Sequence, residues 1–265
     1  MRATSSFLTF GKRGKPYPMK EKIYTIPINE AYDEPCGCPL CRLERALEEE
    51  ACAYALGAAM MEPDFRVNSN EKGFCRRHTE KLFALPNKLS LALVLDTGVG
   101  SISERLDKLF DKAKSAKSGG LFKKDGTAEL CKELCDALAE YEKSCVICEK
   151  VAHTMARYCG TLVDMWATEA EFREKFARAP GLCLPHLRAV MEEAARSMPK
   201  NRLGEFLQTL GENQKRDFAK IGEDVHRFTL KFDYRNRDME WGDAKDAPRR
   251  AIEKLCGYTD MEKED

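Results

Sequence analysis

"GFCRRH" at residues 73–78 and "GLCLPH" at residues 181–186 decide how this chain is read. Each ends in Cys-x-x-His, each carries a Gly two residues before the Cys, and each follows a Cys-x-x-Cys pair. The gap between the pairs is 33 residues in the first case and 34 in the second. Taking neighbours along the chain as partners gives two sets of four: Cys38, Cys41, Cys75 and His78, then Cys145, Cys148, Cys183 and His186. The matched order and spacing predict an internal duplication.

The chemistry of such sets is metal ligation. A Cys-x-x-Cys turn aims two thiolates at one ion, and a Cys-x-x-His pair entering a helix adds two more ligands from one face. Four ligands fill a tetrahedral site and leave no position for a reactive water, so the expected ion is structural zinc, two per chain. Gly73 and Gly181 are expected to supply the backbone turn that swings each helix onto its ion. An iron-sulfur cluster is the alternative cofactor, although its usual ligand set is four cysteines. Buried free thiols are the bland reading of the same residues.

Bulk properties agree with a globular chain. At 265 residues it is long enough for two moderate cores, and 43% of its residues are hydrophobic. Its 44 basic and 44 acidic residues cancel, which gives no global attraction to nucleic acid or anionic membrane. The longest apolar run, "ACAYALGAAMM" at 51–61, is far short of the roughly 18–20 residues of a membrane span. The N-terminus lacks the apolar stretch of a signal peptide, so a cytoplasmic location is expected. Twelve cysteines in such a chain point to metal or thiol chemistry rather than a disulfide framework.

The fold expectation is all-α: two pseudo-repeated helical units, each with a CxxC…CxxH metal site, plus a long C-terminal helix. Residues 1–18 read as a disordered extension, 19–117 as the first metal-binding unit and 118–200 as the second. Residues 201–265 read as a long helix and tail packing on both. The boundary falls in "SAKSGGLFKKDGT" at 115–127, rich in Gly, Ser and Lys. Helical periodicity runs through 39–61, 75–85, 88–114 and the segments on both sides of Cys145 and Cys183. "EPDFRVNSNEKG" at 62–73 breaks it. The long helix carries a seam of Leu203, Leu207, Leu210, Phe218, Ile221, Val225, Phe228 and Phe232, and "KIYTIPI" at 22–28 is the clearest strand signal.

The remaining chemistry-bearing residues are less specific. Cys36 forms "CGCPLC" with the first pair and could exchange into its site. Cys52 and Cys159 each lie 11 residues after the second Cys of their pair, on the same helix face. Cys131 and Cys135 read as a buried helix face, and Cys256 as core. Arg76 and Arg77 read as solvated charge, or else as pairing with an anionic partner. "FDYRNRDMEWG" mixes aromatics with arginines in a way that could stack bases, but the plainer reading is a tail that pins Trp241 onto the helical body.

"MKEKIYTIPINEAYDE", "CPLCRLE", "MMEPDFRVNSNEKGFCRRH" and "KFDYRN" together resemble an uncharacterised family of bacterial proteins, a domain-of-unknown-function family found in anaerobic Gram-positive bacteria. The resemblance runs from about Met19 to Gly257, implies Met19 as the native start and supplies no activity. Three functions stay open. One is a zinc-stabilised scaffold or binding module whose partner is a protein ahead of nucleic acid, with no membrane. Another is a redox sensor or electron carrier using the same sites, with Cys36, Cys131 and Cys135 as spare thiols. The third is an enzyme with a site between the units, using His153, His226 or the Asp233, Tyr234, Arg235 stretch.

Overall fold

A computed structural model describes residues 22–34, 36–116 and 127–260. The expected tail at 1–18 and most of the expected linker at 115–127 lie outside the described residues. Among the described residues there are eleven α-helices and no strand. In chain order they are α1 (Lys22–Asp33), α2 (Pro39–Leu56), α3 (Pro63–Lys72), α4 (Arg76–Ala84), α5 (Lys88–Ala116) and α6 (Thr127–Lys143). They continue as α7 (Val146–Thr168), α8 (Ala170–Arg178), α9 (Leu184–Ser197), α10 (Lys200–Leu230) and α11 (Ala247–Cys256).

The chain forms two compact units that are not consecutive in sequence. Among the described residues the first unit holds 47–116 and 127–152, and the second holds 22–46 and 153–260. Both borders fall inside helices. One cuts α2 between Ala46 and Leu47, and the other cuts α7 between Ala152 and His153. The units therefore do not divide the chain in the sequential order expected from its linker.

The second unit has the larger apolar core. Tyr32 of α1 packs against Phe172 and Phe176 of α8, with ring centroids 5.3 and 5.9 Å apart, and Phe206 of α10 lies 5.0 Å from Trp166 of α7. This burial explains why "KIYTIPI" is helix rather than strand. Ile28, Ala31 and Tyr32 fall at i, i+3 and i+4 on the buried face, and that packing outweighs the β-branched propensity and the main-chain hydrogen bond lost at Pro27. Helix α10 buries Phe206, Leu210, Asn213 and Asp224, whereas Leu207 and Phe232 of the expected seam are exposed. The buried stripe contains polar residues, Asn213 donating to the Phe176 carbonyl of α8 and Asp224 pairing with Arg250 of α11, which a hydrophobic count passes over.

The first unit has a smaller core built from Ala51, Ala55, Leu56, Ala59, Leu82, Leu91, Val94 and Ile147. Helix α3 occupies the stretch expected to be irregular. It buries only Ser69 and packs on α5 through polar contacts: the Arg66 guanidinium donates to the Leu93 carbonyl at 2.7 Å, and Thr97 Oγ1 donates to Asn70 Oδ1 at 3.0 Å. A helix held this way leaves no apolar period to read. Helix α6 has no buried residue, so Cys131 and Cys135 are exposed rather than on a buried face, and Cys256 on α11 is exposed as well.

Candidate metal centres

All eight expected ligands come together in two groups, but crosswise. One group is Cys38, Cys41, Cys183 and His186, and the other is Cys75, His78, Cys145 and Cys148, each with its four ligand atoms within 4.8 Å of one another. Each group takes its Cys-x-x-Cys from one half of the sequence and its Cys-x-x-His from the other. We call the first site A, in the second unit, and the second site B, in the first unit.

The reason lies in the helices that follow each cysteine pair. Helix α2 carries the chain about 27 Å from Pro39 to Leu56, at roughly 1.5 Å per residue over its 18 residues. The 23 residues of α7 likewise run about 35 Å. Each helix leads away from the cysteine pair at its start, so the next Cys-x-x-His along the chain is not the nearest in space. Matched gaps count residues and carry no direction.

Every ligand pair begins a helix. Cys75 and Cys183 are the N-caps of α4 and α9, both with extended backbone, and His78 and His186 follow at the third helical position. Cys38 and Cys145 directly precede α2 and α7, and Cys41 and Cys148 take the same third position. Each site thus receives two helix N-termini, whose unsatisfied N–H groups and positive dipole ends favour thiolate over thiol.

The ligand atoms of each group converge closely enough to share one ion, most pairs lying a few tenths of an ångström inside the spacing of a bound zinc. At site A the Nδ1 of His186 lies 3.1 Å from Cys183 Sγ, 3.4 Å from Cys41 Sγ and 3.7 Å from Cys38 Sγ, and the sulfurs of Cys41 and Cys183 are 3.4 Å apart. At site B the Nδ1 of His78 lies 3.2, 3.3 and 3.3 Å from the sulfurs of Cys75, Cys145 and Cys148. A zinc with bonds of about 2.0–2.3 Å would separate its ligands by roughly 3.5–3.8 Å. A divalent ion held by three thiolates and a neutral imidazole would leave each site formally −1.

Outer contacts orient both imidazoles. His78 Nε2 lies 2.8 Å from Glu48 Oε1, and Glu48, 2% exposed, also holds Arg77 and Lys81 at 3.0 Å each. Arg77 thus has an anionic partner inside the protein, whereas Arg76 pairs with Glu80 on the exposed face of α4. Burial alone would lower the His78 pKa, but the thiols of Cys145 and Cys75 and the Glu48 carboxylate outweigh it and hold it up at about 11. At site A the carboxylate is Glu44, with Oε2 at 3.5 Å from His186 Nε2. A carboxylate behind the distal nitrogen fixes the ring and directs Nδ1 to the metal.

The loops before the ligands are tied differently. In the first unit, Val146 N donates to the Gly73 carbonyl at 3.1 Å and Ser144 Oγ donates to the Lys72 carbonyl at 2.6 Å, so the turns entering α4 and α7 bind each other directly. In the second unit, Lys254 of α11, 3% exposed, donates to the carbonyls of Gly37, at 3.1 Å, and Gly181 and pairs with Asp217. Asn213, Gln214 and Arg216 of α10 donate to the carbonyls of Phe176, Leu182 and Ala179 at 2.7, 2.9 and 2.6 Å. The two glycines also differ. Gly73 has φ +63, in the left-handed region, and a Cβ there would lie 2.4 Å from Tyr141 Oη. Gly181 has no such φ; a Cβ there would lie 2.2 Å from Gln214 Oε1, so close approach and not a turn requires it.

Of the other sequence candidates, Cys52 and Cys159 are buried on α2 and α7. Cys52 is in electrostatic reach of His78 and Cys145 of site B, and Cys159 of Cys38 of site A. Burial first, then the negative charge of Glu193 and Cys38, pushes the Cys159 thiol up to about 12. Cys36 lines a groove with Cys38, Cys41, Arg45 and Tyr258, its thiol pushed by burial to about 11. His153 and His226 are exposed, and Asp233 is paired with Arg235. Trp241 packs on Phe228 of α10 at 5.5 Å, as the plainer reading of the tail has it. Glu48 and Lys254 were not legible as site residues, because each reaches its site from a distant element.

An all-helical chain with two Cys/His groups, one buried and one partly exposed, defines the class. The chain belongs to DUF6062, a family of unknown function, whose model matches residues 19–262. Comparison with curated proteins and with solved structures finds no match.

Proposed function

We propose that this protein is a zinc-stabilised helical scaffold that binds another macromolecule, with Cys38, Cys41, Cys183 and His186 holding one structural zinc and Cys75, His78, Cys145 and Cys148 the other. The observation that carries it is the pair of sets, each of three sulfurs and one imidazole nitrogen within 4.8 Å of one another, with a carboxylate behind the imidazole. A filled coordination shell supplies folding energy, on the order of 10 kcal/mol in small metal domains, and holds no water to activate. A protein partner fits the apolar side chains that the first unit exposes, among them Phe83 at 66% and Val99 at 68%. Among the described residues no helix is long and apolar enough to cross a membrane. We place the protein in the reducing cytoplasm, where cysteines outside disulfides persist.

Metal content and the visible spectrum of protein purified without oxygen test this reading. Two zinc per chain and no colour agree with it; iron with a broad visible band contradicts it.

A thiol switch at site B is a second reading, favoured by the exposure of Cys148 and the half-burial of Cys75. Peroxide would take two electrons from the Cys145 and Cys148 thiolates, breaking its O–O bond and taking up two protons to give two waters, while an S–S bond forms and zinc leaves.

A further inference from the structure

Two helices belong to both compact units, and each serves both metal groups. Helix α2 carries Cys41 of site A in its first turn, places Glu48 against His78 of site B, and carries Cys52 within electrostatic reach of His78 and Cys145. Helix α7 carries Cys148 of site B in its first turn and ends in the second unit, where Tyr158 meets Tyr24 edge-on at 5.6 Å and Cys159 is in electrostatic reach of Cys38 of site A. Helix α2 thus has a ligand of one site in its first turn and an outer contact of the other further along, and α7 runs from a ligand of site B into the unit that holds site A.

We infer that the two sites load their metals cooperatively, with α2 and α7 as the coupling elements. This inference rests on the reading of both groups as zinc sites. Helices of this length gain most of their stability from tertiary contacts, because nucleating a helix is costly and propensity alone is marginal. With both sites empty, the start of α2 loses its anchor to Cys183 and His186, and fraying of α2 withdraws Glu48 from His78. The first zinc fixes the N-terminus of one shared helix and, through the continuous helix, the outer contacts of the other site. The second zinc meets ligands already ordered and binds more tightly, without any change in the folded structure. Coupling of this kind is reciprocal: whatever factor site A lends to site B, site B lends to site A.

The experiment uses the full chain, zinc and a competing chelator, with the zinc-bound species counted by native mass spectrometry. Cys183→Ser empties site A and Cys75→Ser empties site B, and neither residue lies on a shared helix. The expected result is that the surviving site binds zinc about 5–150-fold more weakly than in the parent protein, by the same factor in both variants. A second variant, Ala46→Gly with Ala152→Gly, softens both shared helices at the unit borders and leaves every ligand in place. It should still bind two zinc, with the coupling factor moved toward one. Survival of either site at parental affinity overturns the coupling, as does an unchanged factor in the glycine variant. A parent protein that binds no zinc overturns the metal reading itself, which keeps the two failures apart.

Discussion

His78 Nε2 and Glu48 Oε1 lie 2.8 Å apart, and Glu48 sits seven residues beyond a cysteine of the other metal group. The carboxylate orients the imidazole and balances Arg77 and Lys81. Glu48→Gln should weaken zinc at site B by about 10–100-fold, the usual effect of losing such an outer partner. Chelator competition read as zinc per chain checks this, and an unchanged affinity would show that the carboxylate is only a partner for Arg77 and Lys81.

Lys254 is the corresponding strap of site A. Lys254→Met leaves Asp217 and the carbonyls of Gly37 and Gly181 without their donor and should cost about 3 kcal/mol, typical of breaking a buried pair. Zinc should be lost first from site A. Denaturant unfolding with and without added zinc checks it.

The two glycines should respond differently to alanine. Gly73→Ala forces a Cβ into a left-handed φ and onto Tyr141, and should cost about 2 kcal/mol or more. Gly181→Ala meets the flexible end of Gln214, with the Asn213 carbonyl at 3.2 Å, and should cost less. Thermal melts of the two variants decide it, and equal losses would refute the distinction.

Thiol reactivity should follow exposure and charge. At pH 8 iodoacetamide should modify Cys131 and Cys135, exposed on α6, within the first exposure, and Cys159 last. With its pKa raised to about 12, only about one Cys159 in ten thousand is thiolate at that pH, and raising the pH should speed its reaction. Mass mapping of modified peptides over time provides the readout.

Chelation should open the first unit before the second. Its core is mostly alanine and leucine, α6 buries nothing, and Cys148 is exposed. The second unit keeps the aromatic cluster of Tyr32, Trp166, Phe172, Phe176 and Phe206. Hydrogen exchange after a chelator pulse should therefore rise first over α4 to α6. Simultaneous opening of both units would contradict this order.

The eight residues of the two Cys/His groups were legible because thiol and imidazole pairs at three-residue spacing are specific chemistry, and the all-helical class was legible from the apolar period. The pairing was not, because α2 and α7 carry the chain away from each cysteine pair and sequence spacing has no sense of direction. Helix α3 escaped because Arg66, Asn70 and Thr97 do its packing, and α1 because burial of Ile28 and Tyr32 overrode local propensity. Lys254 and Glu48 escaped because a single charged residue in a helix has no signature until its neighbours are known.

The crosswise pairing is tested most directly by removing one Cys-x-x-His and asking which cysteines lose protection. In the zinc-loaded full chain, Cys75→Ser with His78→Ala should make Cys145 and Cys148 the first ligands to be alkylated, as read by peptide mass mapping. Protection of Cys145 and Cys148 together with alkylation of Cys38 and Cys41 would mean that neighbours along the chain share an ion, and would contradict the account.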